Sequence, residues 1–341
     1  MDVQSPRFAA LREFARTATG VADLPIDVAS ADASFRSYWR VTTPDGTRIL
    51  MDSPPALEPV APWLAIGAQL AQAGLHTPAV FAQDLAQGFL LIEDFGNRPY
   101  LAALDDASAD TLYGDALRAL LLMQTHADSA TLEPYDEARL LMEMRLLPEW
   151  FLQRHLGYRA SVEESTALEA AFETLLQAIR EQPPVFVHRD FHSRNLMITD
   201  GANPGIIDFQ GALRGPLAYD VVSLLRDCYV AWPAARVAHW REQYRRDAVA
   251  AGLTDASPDT FARWFDLTGL QRHIKVLGLF CRLCYRDGKQ HYLRDLPLVL
   301  RYTLEVADIH PALAPLAAVL RRAVAQHDVT LVRHDNSVAT P

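Results

Sequence analysis

The chain has 341 residues, half of them hydrophobic, and a formal net charge of −10. That is enough apolar material for one bilobal enzyme or two modest domains, and the acidic balance argues against nucleic acid as a partner. Three cysteines, Cys228, Cys281 and Cys284, make an odd count with no disulfide framework.

Met1 to Arg16 is amphipathic and mixes Arg7, Arg12 and Arg16 with Asp2 and Glu13. It has no uninterrupted apolar core, so it is not expected to act as an export signal. After the Pro44-Asp45-Gly46 turn, residues 47–52 read as a strand. Trp63 to Leu70 repeats apolar residues at helical spacing, and Gly74 follows as a stop. Val80 to Asp84 is followed by Gly88 to Gly96, which reads as a buried strand ending in a glycine turn. Helices are predicted over 111–126, 137–155 and 162–181, the second kinked or broken at Pro148. Pro183-Pro184 ends that run. Further helices are predicted at 221–230, 234–251, 258–286, 291–305 and 311–327. Cys281 and Cys284 fall inside one of these apolar helices, which suits buried small side chains better than a metal or redox pair. No stretch of about twenty apolar residues occurs, so no membrane span is expected.

The most informative stretch is His188-Arg189-Asp190-Phe191-His192-Ser193-Arg194-Asn195, followed by Ile206-Ile207-Asp208-Phe209. Val185 to Val187 is an apolar run entering it, and Leu196 to Ile198 is another leaving it. Gly201 to Gly205 is rich in turn formers, so a hairpin would return Asp208 beside Asn195. Phosphoryl transfer needs a carboxylate near the attacking hydroxyl and hard oxygen ligands that hold magnesium on the nucleotide phosphates. Asp190, Asn195 and Asp208 stand in an order that suits this need.

This segment resembles the aminoglycoside phosphotransferase and choline kinase family. The resemblance implies an α+β, protein-kinase-like bilobal fold. It would have a small β-rich nucleotide-binding lobe at 1–94 and a large helical lobe at 95–341 that carries the catalytic loop and the acceptor site. It implies ATP and Mg2+ as cofactors, with Asp190 as the base and Asn195 and Asp208 as metal ligands. His188 and His192 would brace the loop, and Asp220 would tether it from below. The adenine ring would meet main-chain groups of Glu93 and Phe95. Ser34, Phe35 and Arg36 lie where the family has its nucleotide-covering loop, although the segment is not glycine-rich.

One family feature is missing. Kinases of this fold place a lysine on the third strand against the phosphates, yet the only lysines here are Lys275 and Lys289. Met51 falls at the lysine position. Arg36 or Arg40 is a candidate source of the charge, through a planar fork suited to phosphate. Without a lysine to pair with, Glu58 is not expected in the active site.

Acceptor contacts are expected from 269–278, where polar residues interrupt an apolar helix. Gln271, His273 and Lys275 are the candidates. Beyond the shared motif, residues 10 to 330 resemble the bacterial anomeric sugar kinases of N-acetylmuramate and N-acetylglucosamine. The match rests on Asp32 to Arg36, Met51 to Pro55, Leu91 to Gly96, Asp208 to Ala212 and Gln271 to Gly278. That resemblance implies phosphorylation of the sugar's C1 hydroxyl to an α-1-phosphate that feeds UDP-sugar synthesis in peptidoglycan recycling. Alternatives are an aminoglycoside, choline or homoserine kinase of the same fold, or a non-catalytic pseudokinase scaffold. The expected partner is a small amino sugar, with no nucleic acid, membrane or obligatory protein partner, and the expected location is the cytoplasm.

Overall fold

Helix α1 (Pro6–Thr19) starts at Ser5, whose hydroxyl caps it by accepting the Phe8 N–H. Its apolar stripe, Phe8, Leu11 and Ala15, packs against Trp39, Val41, Leu50, Phe89 and Leu91. Each large side chain buried in this way is worth roughly 1.5–3 kcal/mol. Those partners belong to a five-stranded antiparallel sheet of β1 (Ile26–Ser30), β2 (Ser37–Thr43), β3 (Gly46–Asp52), β4 (Val80–Asp84) and β5 (Phe89–Glu93). The strand order is β1-β2-β3-β5-β4. Because side chains alternate across a strand, Tyr38, Arg40, Ile49 and Ile92 point to the opposite face from α1. The computed structural model describes residues 5–30, 35–325 and 327–334. Ser34, expected to bind nucleotide, lies outside the described residues.

Met51 is fully buried on β3, paired with Tyr38 on one side and Leu90 on the other. Helix α2 (Ala61–Gln72) follows β3, and after β5 the chain forms α3 (Tyr100–Ala103) and α4 (Ala109–His126). A short hairpin pairs Leu196–Met197 with Gly205–Ile206. It packs with these elements, because the Asn203 amide donates to Tyr100 Oη (2.6 Å) and Asp115 Oδ2 (2.8 Å). By packing, the chain forms two units, 1–122 with 194–211, and 123–193 with 212–341.

The second unit is helical: α5 (Glu137–Met144), α6 (Val162–Arg180), α7 (Ala218–Leu225), α8 (Ala234–Ala250), α9 (Pro258–Tyr285), α10 (Leu296–Ile309) and α11 (Ala314–Val324). The predicted 137–155 helix is interrupted, and its second half, Leu147–His155, is a π-helix with Pro148 near its start. That placement follows from proline's missing N–H. Helix α9 is buried along most of its length. Two glycines let neighbours approach it. A Cβ at Gly269 would lie 2.7 Å from Val222, and one at Gly278 would lie 2.2 Å from the Leu146 carbonyl. Cys281 and Cys284 are buried thiols on this helix. Strands at 184–187 and 213–216 pair beside the helices. A sheet at the N-terminal end and a predominantly helical remainder give the α+β class expected from the sequence. Among the described residues no helix is long and apolar enough to cross a membrane.

Candidate active site

The hairpin does what the turn-rich segment predicts. Ile207 N–H donates to the Asn195 carbonyl (3.1 Å), so the residues flanking the two strands lie side by side. Asn195 Nδ2 is 3.4 Å from Asp208 Oδ2, and Gln210 Nε2 donates to Asp208 Oδ1 at 2.7 Å. Asp208 has φ 63°, a left-handed conformation that non-glycine residues adopt at a cost. The hairpin and the Gln210 bond hold it there. An amide oxygen and a carboxylate are hard donors, and magnesium takes one or two protein ligands alongside phosphate oxygens. The pair fits that ion.

Both residues line a cavity of about 400 Å3 within the first unit. Its apolar walls are Ile49 and Ile92 from the sheet, Trp63 from α2, and Met197, Ile207 and Phe209 from the hairpin. Trp63 and Phe209 pack with ring centroids 5.1 Å apart. Gly67 makes room for this contact, since a Cβ there would lie 3.2 Å from the Phe209 ring. A flat heteroaromatic ring suits such walls.

At the end of β5 the cavity is bordered by Glu93, Asp94, Phe95 and Gly96. The Glu93 carboxylate is directed away to His76 Nε2 (3.0 Å) and the Ala79 N–H (3.2 Å). Phe95 packs edge-on against His76 and also abuts Gly205, where a Cβ would come within 2.7 Å of the ring. Arg40 grips Asp94 with two hydrogen bonds of 2.5 and 2.9 Å. Phe35 is exposed, whereas Arg36 is buried. Arg36 Nε donates to Ser53 Oγ (3.3 Å) and its guanidinium pairs with Glu58 (3.1 Å). Arg36 is not among the cavity-lining residues. Glu58 thus finds an arginine partner where the sequence offered no lysine.

The segment 188–193 belongs to the second unit. Asp220, at the start of α7, accepts the N–H groups of His188 (2.6 Å) and Arg189 (3.0 Å). Burial pushes its carboxyl up to about 7 against the pull of these two donors. Arg189 has φ 77°, and its strained backbone is held by that grip. Asp227, seven residues further on, accepts the Ser193 N–H (3.0 Å) and the Ser193 hydroxyl. His188 and His192 are buried and pack edge-on against Phe191 and Tyr229.

Around Asp190 lies a network of charges. Glu143 on α5 takes Arg189 Nη2 (2.8 Å) and Lys275 Nζ (3.0 Å) on one oxygen. Tyr135 donates to its other oxygen, and Tyr135 Oη lies 3.1 Å from Tyr219 Oη. Burial alone would raise the Asp190 carboxyl. The charges of Lys275, His192, Arg189 and Arg272 together hold it below the ordinary carboxylate range. Asp190 is therefore ionised at neutral pH.

Gln271, His273 and Lys275 are all buried. Besides Lys275 on Glu143, His273 Nε2 contacts the Arg226 carbonyl at 3.0 Å, and its ring stacks on Tyr302. Burial and nearby Arg272 lower its titration to about 3, so it is neutral. Glu143, Asp227 and Gln210 were not among the residues singled out from the sequence. Asp227 lies just past the end of α7, so helical spacing from Asp220 did not mark it.

A model of the phosphotransferase enzyme family (APH) matches residues 26–258. The N-acetylmuramate/N-acetylglucosamine kinase of Pseudomonas aeruginosa is 43% identical over 293 residues, covering 86% of each chain. The protein of that name from Neisseria meningitidis serogroup B is 38% identical over 325 residues, 94% of this chain and 96% of that one. Among solved structures, ADP-bound aminoglycoside phosphotransferase APH(2'')-Ib has a TM-score of 0.58 at 16% identity, over 87% of this chain and 98% of that one. Choline kinase LicA from Streptococcus pneumoniae has a TM-score of 0.60 at 11% identity, over 87% and 99%. These two share the fold, the protein-kinase-like one expected from the sequence. The family match and the kinase relatives make this an enzyme that phosphorylates a hydroxyl group, not a scaffold. The chain belongs to the phosphotransferase enzyme family.

Proposed function

We propose that this enzyme transfers the γ-phosphate of ATP to the anomeric C1 hydroxyl of N-acetylmuramate and N-acetylglucosamine. The observation that carries the reading is the meeting of Asn195 and Asp208 on the wall of a cavity with apolar faces. The sugar class rests on relatives named for it at 38–43% identity over most of their length.

In this reading the cavity takes the nucleotide. Its base lies between the sheet and Met197, Ile207 and Phe209, and meets main-chain groups of Glu93 and Phe95. Asn195 and Asp208 hold magnesium, which would neutralise phosphate charge. Phe35 borders the nucleotide, and the Arg36–Glu58 pair anchors the residue beside it. Asp190 orients the acceptor hydroxyl and accepts its proton late in the transfer. An anomeric hydroxyl is more acidic than an ordinary alcohol, so a carboxylate kept ionised is a sufficient base. His188, His192 and Asp220 hold the loop. Gln271, His273 and Lys275 support the acceptor site from within α9, Lys275 by way of Glu143. The product would be an α-1-phosphate used in amino-sugar recycling in the cytoplasm.

An acceptor panel tests this reading. ADP release should require N-acetylmuramate or N-acetylglucosamine, and phosphorus NMR should place the phosphate on C1. Turnover with kanamycin, choline or homoserine, and none with either amino sugar, would reassign the acceptor.

A further inference from the structure

A nucleotide in this cavity must reach two places at once: the end of β5 with its base and the Asn195–Asp208 pair with its phosphates. The spacing between them depends on what holds the 196–206 hairpin against β5. The strand leaving Asn195 is held by main chain, since the Ile198 N–H donates to the Arg98 carbonyl (2.8 Å). The strand leading to Asp208 rests on another residue. The Ile206 N–H, just before Ile207 and Asp208, donates to the His76 carbonyl (2.8 Å). His76 lies between α2 and β4. Its ring reaches the Ala202 carbonyl in the hairpin turn through Nδ1 (2.8 Å) and the Glu93 carboxylate through Nε2 (3.0 Å). The same ring packs edge-on against Phe95, which fills the space left by the missing side chain of Gly205. Glu93 is itself fixed, because its other carboxylate oxygen accepts the Ala79 N–H (3.2 Å) and its own N–H donates to the Ala79 carbonyl (2.8 Å). The imidazole thus spans from hairpin to β5, yet His76 is not among the cavity-lining residues.

We infer that His76 is a positioning residue of this enzyme: by tying Ala202 to Glu93 it sets where Asp208 stands relative to the nucleotide base. Asp208 is held at an uncommon φ of 63°, a conformation that persists only when its surroundings enforce it. Loosening the strand before it would therefore let the carboxylate drift from the metal position. Residues behind a metal ligand act on affinity in this way without touching the ion. The assignment deepens the ATP reading above and rests on it.

Calorimetric titration of full-length wild type, H76F, H76Q, E93Q and H76F/E93Q with adenosine, and with ATP over a range of magnesium concentrations, tests the inference without turnover. H76F keeps a ring against Phe95 and loses both polar contacts. It should bind adenosine within about twofold of wild type but need about tenfold more magnesium, or above, for half of the full ATP affinity. H76Q retains one donor and should fall between. The double variant should lose no more than H76F, because His76 and Glu93 share one interaction. Thermal melting checks the fold, and E93Q, which alters the same tie from its other end, carries the test if H76F does not fold. An unchanged magnesium requirement, adenosine and MgATP weakened equally, or additive losses in the double variant would overturn the assignment. A wild type that binds neither adenosine nor MgATP would remove the ATP reading itself.

Discussion

Asp227 accepts both the N–H and the hydroxyl of Ser193, within a stretch where Asp220 already holds His188 and Arg189. Two carboxylates seven residues apart therefore pin both ends of the segment around Asp190. Misplacing a reacting group by about 1 Å costs on the order of a hundredfold in rate. Asp227→Asn should accordingly lower kcat by about tenfold to a hundredfold with little change in the KM for ATP. Ser193→Ala should do less, and the double variant should be non-additive, because the two residues share one interaction. Steady-state kinetics on the three proteins would decide this. Additive losses would separate Asp227 from the loop.

Asp190→Asn removes the proposed base and keeps the shape. Turnover should fall by about 10²–10⁴-fold, the range of general-base contributions, while ATP affinity by calorimetry stays near wild type. Unchanged turnover would take Asp190 out of that role.

Lys275→Gln tests the charge network. Lys275 is the cation that lowers the Asp190 carboxyl most, so removing it must raise that carboxyl's titration. The deprotonated base is then lost at higher pH, so the acidic limb of the kcat profile should move upward. Lys275→Arg should leave it near its original place. A pH–rate series for the two variants measures this shift, and an unmoved limb in the Gln variant would dissociate Lys275 from Asp190.

Gln210 donates to the carboxylate proposed to hold magnesium. Partners of metal ligands typically influence affinity by about 10–100-fold. Gln210→Ala should raise the magnesium concentration at half-maximal rate by about tenfold or more. A magnesium titration at saturating ATP gives the number, and Gln210→Glu should not behave as a neutral replacement.

Two glycines on helices should respond oppositely to alanine. At Gly278 the new Cβ would meet the backbone carbonyl of Leu146 at 2.2 Å, so backbone must shift. Overpacking of this kind costs about 1–3 kcal/mol. At Gly114 on α4 the nearest atom is the flexible end of Arg118 at 3.4 Å, and helix propensity favours alanine by up to about 1 kcal/mol. Thermal melts should show a lower Tm for Gly278→Ala and an equal or higher one for Gly114→Ala.

What could be read from the chain follows from the range of the forces involved. The Asn195–Asp208 approach was legible because a turn-rich segment between two short apolar runs leaves a hairpin as the local solution. Most helices after residue 108 were legible from spacing, whereas α1 and α3 were not singled out, and at the π-helix Leu147–His155 Pro148 marked the disturbance but not its form. The Arg36–Glu58 pair, Glu143 beneath Lys275 and Asp227 beneath Ser193 join residues 22, 132 and 34 positions apart. Nothing local requires such pairs. A charged residue among apolar neighbours on a helix, such as Glu143 between the buried Leu140 and Met144, shows that a partner is needed without naming it.

The setting of Lys275 has a consequence for how substrate choice can change. Helix α9 carries Gln271, Arg272 and Lys275 inside the molecule, and its two charged residues among them help keep Asp190 ionised. A substitution there that aimed to widen the range of acceptors would also disturb the proton transfer proposed for Asp190. Divergence toward new alcohols within this lineage should therefore collect on elements outside the inward side of α9, leaving that helix as the slowest part of the enzyme to change.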